Sequence, residues 1–284
     1  MHHATVASRA GGDEPAAEVI GLVPAAGHAT RLAPLPCSKE LFPIGFRSLD
    51  EDGTLRPKPV CLYLLESMRA AGVTKAYLVL RKGKWDIPAY LGDGSIVGMH
   101  LGYLMTGLPF GPPFTIDQAY PFAHQATAAF GFPDIIFEPA DAFAHLIQRQ
   151  AATHADVVLG LFPADRPQTT DMVDIDEAGR VRSLVIQPTS THLRYAWIVA
   201  VWSVAFTHFL HNHLAKLVPL QGAQAGAAAG IDDSRDVSMG HVLQAALESD
   251  LVLQSVTFPT GTYVDVGTPE GLMKALSLSH SAVW

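Results

Sequence analysis

Apolar and polar positions come in alternating blocks along the first two thirds of the chain. Residues 19–23 form a short continuous apolar run that predicts a buried strand. Residues 76–80, 101–104, 134–137 and 157–162 repeat that signature. Helical spacing lies between the runs. Residues 59–72 put Val60, Tyr63, Leu64, Ser67 and Met68 on one face and end at Gly72, a helix stop. A helix is expected before the Gly92-Asp93-Gly94 turn, another around 121–129, and a longer one over 140–152. Strand–helix–strand order with short connections predicts an α/β fold whose mixed, mostly parallel sheet has helices on both faces. Ligands in such sheets sit outside the carboxyl ends of the strands, which places the loops after residue 23 and at Asp134 in one site.

The pattern changes after Phe162. Residues 172–176, 179–185 and 195–202 read as strands, with a hairpin turn over 177–179. Helices are expected over 204–217 and 240–249, then a strand over 251–258, a turn at 263–268 and a helix from Pro269. Residues 221–230 are a low-complexity Ala/Gly/Gln stretch that reads as a surface loop. Residues 1–18 are polar and rich in Gly and Ala, which predicts a disordered N-terminal tail. No internal repeat or linker divides the rest, so 19–284 reads as one domain.

Composition narrows the partners. The chain has 284 residues, 49% hydrophobic, with only 16% charged and a formal net charge of −8. That balance disfavours nucleic acid and anionic membranes. Phosphates must therefore be held by local cations, for which Arg31, Lys39 and Lys58 qualify. Two cysteines, Cys37 and Cys61, make no disulfide framework and no C-x-x-C pair, consistent with a reducing compartment. The longest apolar run, residues 195–206, falls short of the roughly 20 residues a bilayer span takes. The first residues lack the basic and apolar regions of a signal peptide. The expectation is a soluble, cytoplasmic protein.

The richest chemistry lies in residues 21–44. A strand runs into a small-residue turn at Ala25, Ala26 and Gly27, and a proline-punctuated loop carrying Arg31 and Lys39 follows. Small residues let backbone N–H groups approach an anion, and nearby cations neutralise it. Gly27, Thr30, Arg31, Leu32, Pro34, Lys39, Leu41 and Pro43 stand where the sugar-phosphate nucleotidyltransferases carry G-x-G-T-R-L-x-P…K-x-L-x-P. The segment resembles that family. Ala29 takes the place of the second glycine, which a tight loop tolerates if φ is negative there.

The resemblance covers nearly all of the chain from Val19 to about Leu276 and implies a Rossmann-like, GT-A-like nucleotidyltransferase fold. It implies Mg²⁺-dependent transfer from a nucleoside triphosphate to a sugar-1-phosphate, with pyrophosphate released and an NDP-sugar formed, in a homodimer or homotetramer. Asp134 takes the place of the family's strand-end aspartate, and Asp265 that of the aspartate in a late D-x-G-T motif. By resemblance these two hold the metal, with Arg31, Lys39 and Asp134 as the catalytic set. Ala25, Ala26, Gly27, Thr30, Thr106 and Gly111 are implied for the nucleotide. The sugar-binding portion falls at roughly 163–220, with Gln187, Asp171 and Trp197 toward the sugar phosphate.

The departures lie at the substrate end. The family's Glu-Lys-Pro reads Ile186-Gln187-Pro188 here, and Asp171 replaces a glycine. Thr106 stands where a base-reading Gln is expected. A non-catalytic homologue that binds nucleotide or sugar phosphate is the alternative these changes leave open. A glycosyltransferase fits less well, because its reaction releases no pyrophosphate for Arg31 and Lys39 to hold. The segment 81–86, with Arg81, Lys84 and Trp85, reads either as a phosphate or sugar contact or as an exposed loop. His208, His211 and His213 share a helical stretch without a carboxylate pattern, and read as a solvated helix.

Overall fold

The structure, a computed structural model, describes residues 18–48, 53–107, 110–222 and 236–279. The predicted tail before Glu18 and most of the low-complexity stretch after Gly222 lie outside the described residues. The first apolar run forms β1 (Val19–Pro24), buried along nearly its whole length. After the loop that follows it come β2 (Pro43–Ser48) and β3 (Leu55–Pro59), an antiparallel ribbon. Then come α1 (Cys61–Ala70), β4 (Lys75–Arg81), α2 (Asp86–Leu91) and β5 (His100–Thr106). They are followed by α3 (Pro112–Asp117), α4 (Tyr120–Ala123) and β6 (Thr127–Gly131).

β6 corrects the reading of 121–129 as one helix. Its alanines favour a helix in isolation, but the segment is a central strand, parallel to β1 on one side and fully buried. Small residues suit that place. A Cβ on Gly131 would stand 2.4 Å from Leu64 of α1. The hydrophobic pattern gives no sign of the β2–β3 ribbon either, because Pro43, Pro57 and Pro59 mask its alternation.

The chain continues as β7 (Ile135–Glu138), α5 (Ala142–Thr153), β8 (Val157–Pro163), β9 (Met172–Ile175), β10 (Val181–Val185) and β11 (Tyr195–Trp202). It closes with α6 (Val204–Gly222), α7 (Met239–Glu248), β12 (Leu253–Thr257), β13 (Thr262–Asp265) and α8 (Pro269–Ser279). The main sheet runs β10-β9-β11-β6-β1-β4-β5, with β8 and β12 branching from β11. Strands β6, β1, β4 and β5 are mutually parallel, and β8 is parallel to β12. β11 is antiparallel to both β6 and β8 and joins the two halves.

Successive residues of β1 enter opposite layers, as a strand requires. Val23 packs with Leu64, Met68, Phe143 and Leu146 of α1 and α5. Leu22 packs with Phe114, Phe206, Leu210 and Leu243 of α3, α6 and α7. The sheet is therefore covered on both faces. Among the described residues no helix is long and apolar enough to cross a membrane.

β7 is a two-stranded antiparallel ribbon with β13, apart from the main sheet. Its register sets Asp265 opposite Ile135, and the Val266 amide donates to the Asp134 carbonyl at 2.8 Å. This ribbon brings residues 131 positions apart in the chain (265 − 134) to one point.

Candidate active site

The parallel strands end together, and the loops after β1 and β6 meet at that edge. The Lys39 ammonium sits 2.5 Å from an Asp134 carboxylate oxygen, and both side chains are largely buried. Asp265 lies beside Asp134, with Gly267 between them. A Cβ on Gly267 would stand 2.6 Å from Asp134 Oδ2 and 2.9 Å from Asp265 Oδ1. The Gly267 amide donates to Asp265 Oδ1 at 2.8 Å. Arg31 Nη2 reaches Asp265 at 3.8 Å, and its side chain is 59% exposed.

The charges in this cluster are unequal. Burial alone would raise the Asp134 pKa, but the Lys39 ammonium outweighs it and holds the carboxyl below its ordinary value. Burial would likewise lower Lys39, and the charges of Asp134 and Glu40 more than reverse that. Asp265 is pushed up by burial and then by the charge of Asp134, with Arg31 offsetting only part. Two carboxylates thus share one close ammonium and one loosely held guanidinium.

The loop after β1 departs from expectation at Ala29. Its φ is +55°, in the left-handed region, so alanine occupies a conformation that favours glycine. The Ala29 carbonyl accepts from Leu32 N and Ala33 N at 2.9 and 3.0 Å, which fixes the turn. Ala29→Gly is expected to stabilise the protein by about 1 kcal/mol, read from the denaturation midpoint, because the left-handed strain on alanine outweighs the chain freedom that glycine adds. A loss of stability in this variant would show that the turn carries no strain.

Of the predicted cradle, the Ala25 amide is already bonded to the Val79 carbonyl at 2.9 Å. The amides of Ala26 and Gly27 make no hydrogen bond among the described residues. Thr30 is exposed in the turn that follows. Gly27, Cys37, Ser38, Lys39 and Arg81 line a cleft of about 320 Å³.

A larger cavity of about 600 Å³ opens beside Asp265. Asp171, Gln187 and Trp197 all line it, together with Arg166, Tyr263 and Lys274. Its lining is net acidic, with Asp165, Asp171, Asp236, Asp265 and Glu270 against Arg166 and Lys274. Lys274 pairs with Asp165 at 2.9 Å, and Arg166 approaches Glu270 at 3.9 Å. Burial raises the Asp171 pKa, against the influence of Trp197, His241 and the Gly240 and Gln187 amides. The indole N–H of Trp197 faces Asp171 without completing a hydrogen bond. A Cβ on Gly240 would meet Asp171 Oδ2 at 2.3 Å, so this carboxylate packs against the first turn of α7, which Ser238 caps.

Thr106 ends β5 at the same edge, and Gly111 caps α3, but neither lines either cavity. Gly111 has a reason independent of any base. Its φ is +98°, and a Cβ there would lie 2.3 Å from the Val237 carbonyl.

Other expectations need revision. Lys58 does not face this edge: its ammonium bonds Glu66 at 2.7 Å and lies over the Tyr63 ring. In segment 81–86, Lys84 is buried against Glu40 rather than exposed, whereas Trp85 is exposed. His211 pairs with Asp117 at 3.0 Å and stacks on Tyr120, whose hydroxyl bonds His208, so these two are engaged rather than solvated. Among the described residues no group of three or more acidic, His or Cys side chains forms a metal cluster.

No family model matches the chain. Over 261 residues, 91% of the chain, it is 23% identical to a low-salt glycan biosynthesis nucleotidyltransferase of Haloferax volcanii. Over 205 residues, 70% of the chain, it is 26% identical to a glucose-1-phosphate thymidylyltransferase of Streptomyces griseus. These matches span 65% and 52% of the two relatives, so the chain covers less than two thirds of their length. The fold superposes on a UDP-glucose pyrophosphorylase complexed with UDP-glucose with a TM-score of 0.70 at 14% identity, covering 93% of this chain and 99% of that one. In sequence the chain resembles the sugar-phosphate nucleotidyltransferases, and in fold it matches them.

Proposed function

We propose that this chain transfers a nucleotidyl group from a nucleoside triphosphate to a sugar-1-phosphate, or a similar phosphate, releasing pyrophosphate. The observation that carries this reading is the convergence of Lys39, Asp134 and Asp265 beside a cavity sized for a small phosphorylated substrate. An oxygen of the acceptor phosphate attacks the α-phosphorus, and the bond to the pyrophosphate oxygen breaks. Two polyanions meet in that step, so positioning and fixed positive charge supply the catalysis.

Lys39, kept on Asp134, lines the cleft and sets its positive charge toward the triphosphate. Arg31, exposed and loosely paired, turns to the departing pyrophosphate. The amides of Ala26 and Gly27, with Thr30, receive the nucleotide phosphates, and the base is assigned to the side of Thr106 and Gly111, although these line neither cavity. Asp134 and Asp265 suit Mg²⁺, since both offer hard oxygens and their joint charge is not fully offset. They would hold the ion, the other ligands being phosphate oxygens and water. Bound there, Mg²⁺ supplies charge neutralisation on the phosphates.

Gln187, Asp171 and Trp197 form the acceptor side of the cavity. Restoring a cation there by Gln187→Lys is expected to tighten sugar-phosphate binding by about fivefold, the difference between a neutral and a charge-assisted hydrogen bond. Unchanged affinity by calorimetry would put residue 187 outside the substrate's reach.

Both cysteines are free, which supports a reducing, cytoplasmic setting. The reading extends to a homodimer or homotetramer, which light scattering measures. The neutral amide at Gln187 and the carboxylate of Asp171 favour, as second reading, a binding protein without turnover. Mass spectrometry of a nucleoside triphosphate incubated with a sugar-1-phosphate separates the two. A nucleoside diphosphate sugar supports the enzyme, whereas nucleotide-dependent thermal stabilisation without product supports the binding protein.

A further inference from the structure

Ser38, Lys39 and Glu40 are held by the segment that follows β4. Asp86 accepts hydrogen bonds from the amide and the hydroxyl of Ser38, at 2.6 and 2.7 Å. Lys84 donates to both carboxylate oxygens of Glu40, at 2.6 and 2.7 Å. That second pair is sealed from water, with side chains 4% and 1% exposed. Lys39 therefore stands between two pinned neighbours, with its own ammonium on Asp134.

Glu40 is a buried carboxylate next in sequence to the ammonium of the active site, and its charge acts on Lys39 as well as on Lys84. An uncompensated carboxylate is strongly unfavourable in such a place and takes any cation within reach. The charge of Glu40 is felt by both Lys39 and Lys84, and among the described residues Lys84 alone bonds it, through both oxygens.

We propose that Lys84 is a positioning residue whose task is to neutralise Glu40 and so keep Glu40 from drawing Lys39 away from Asp134. Its consequence for turnover rests on the nucleotidyl-transfer reading, but its geometry does not. Asp86 completes the arrangement by fixing the chain at Ser38. Of the basic residues in segment 81–86, Lys84 thus acts on the site through Glu40, while Arg81 lines the cleft beside Lys39.

The test compares Lys84→Met with the double variant Lys84→Met/Glu40→Gln. In the single variant Lys39 turns to Glu40, and kcat/KM for the nucleotide falls on the order of 100-fold. In the double variant no carboxylate competes, and activity returns to within about threefold of wild type, since the two sites are coupled. A folded double variant as impaired as the single one would overturn the proposal, because Lys84 would then matter only as packing. Crystal structures decide the geometry without reference to activity. Lys39 Nζ within about 3.2 Å of Glu40 in Lys84→Met is expected; Lys39 still on Asp134 overturns it. Inactive wild-type protein would refute the transferase reading and leave this structural arm decisive. Lys84→Gln, which keeps a donor against Glu40 but no charge, carries the same expectations if the methionine variant does not fold.

Discussion

Asp265→Asn is expected to reduce turnover on the order of a thousandfold while the fold stays intact. The Asp265 side chain is 37% exposed, and its bond from the Gly267 amide needs only an oxygen acceptor, which asparagine retains. Its pKa is raised by burial and then by Asp134, so the ionised carboxyl costs the folded state energy. Removing that charge leaves stability equal or slightly higher at neutral pH.

Asp134→Asn behaves differently. Activity falls as far, but the buried Lys39 loses its partner, and breaking such a pair costs about 3 kcal/mol. The sign follows from the depressed Asp134 pKa. The pair's contribution is present above the ordinary carboxylate pKa and is lost as pH falls through the lower folded value. Melting curves of the two variants at neutral pH should therefore separate, with Asp134→Asn well below wild type and Asp265→Asn level with it. Equal melting temperatures for all three would mean that the Lys39–Asp134 pair contributes nothing to the fold.

Gly267→Ala is the second large effect. The added methyl would stand 2.6 Å from Asp134, 2.9 Å from Asp265 and 3.4 Å from the Lys39 ammonium. None of the three can retreat freely. The ribbon of β7 and β13 fixes both aspartates, and Lys39 is held between Ser38 and Glu40. Something must move by a large fraction of an ångström, and displacement on that scale costs about 100-fold in rate. Overpacking adds a stability loss of about 1–3 kcal/mol. Wild-type kinetics in this variant would show that the two carboxylates need not converge.

Much of this site is legible through a family resemblance, which its loops carry as motif residues in a fixed order. Arg31 and Lys39 stand out as cations in a small-residue, proline-punctuated loop, Asp134 and Asp265 are singled out only by the family resemblance, and the structure gathers the four at one edge. What brings them together is not legible. The β7–β13 ribbon pairs short segments far apart in the chain, and no local period announces such a pairing. β6 was hidden by alanines whose intrinsic preference is helical but whose neighbours are strands. The left-handed Ala29 contradicts the residue's own preference, so only the three-dimensional turn reveals it. Lys58 and Lys84 look alike in sequence, as basic residues near the loop, yet each is consumed by a buried or half-buried carboxylate.

The central claim meets its most direct test in pyrophosphate release with Mg²⁺, crossing the common nucleoside triphosphates with a panel of sugar-1-phosphates. Release is expected with one pairing, and is lost in Asp265→Asn and on removal of Mg²⁺. Equal release from wild type and Asp265→Asn would contradict it, as would a folded wild-type protein that neither releases pyrophosphate nor is stabilised by any nucleotide.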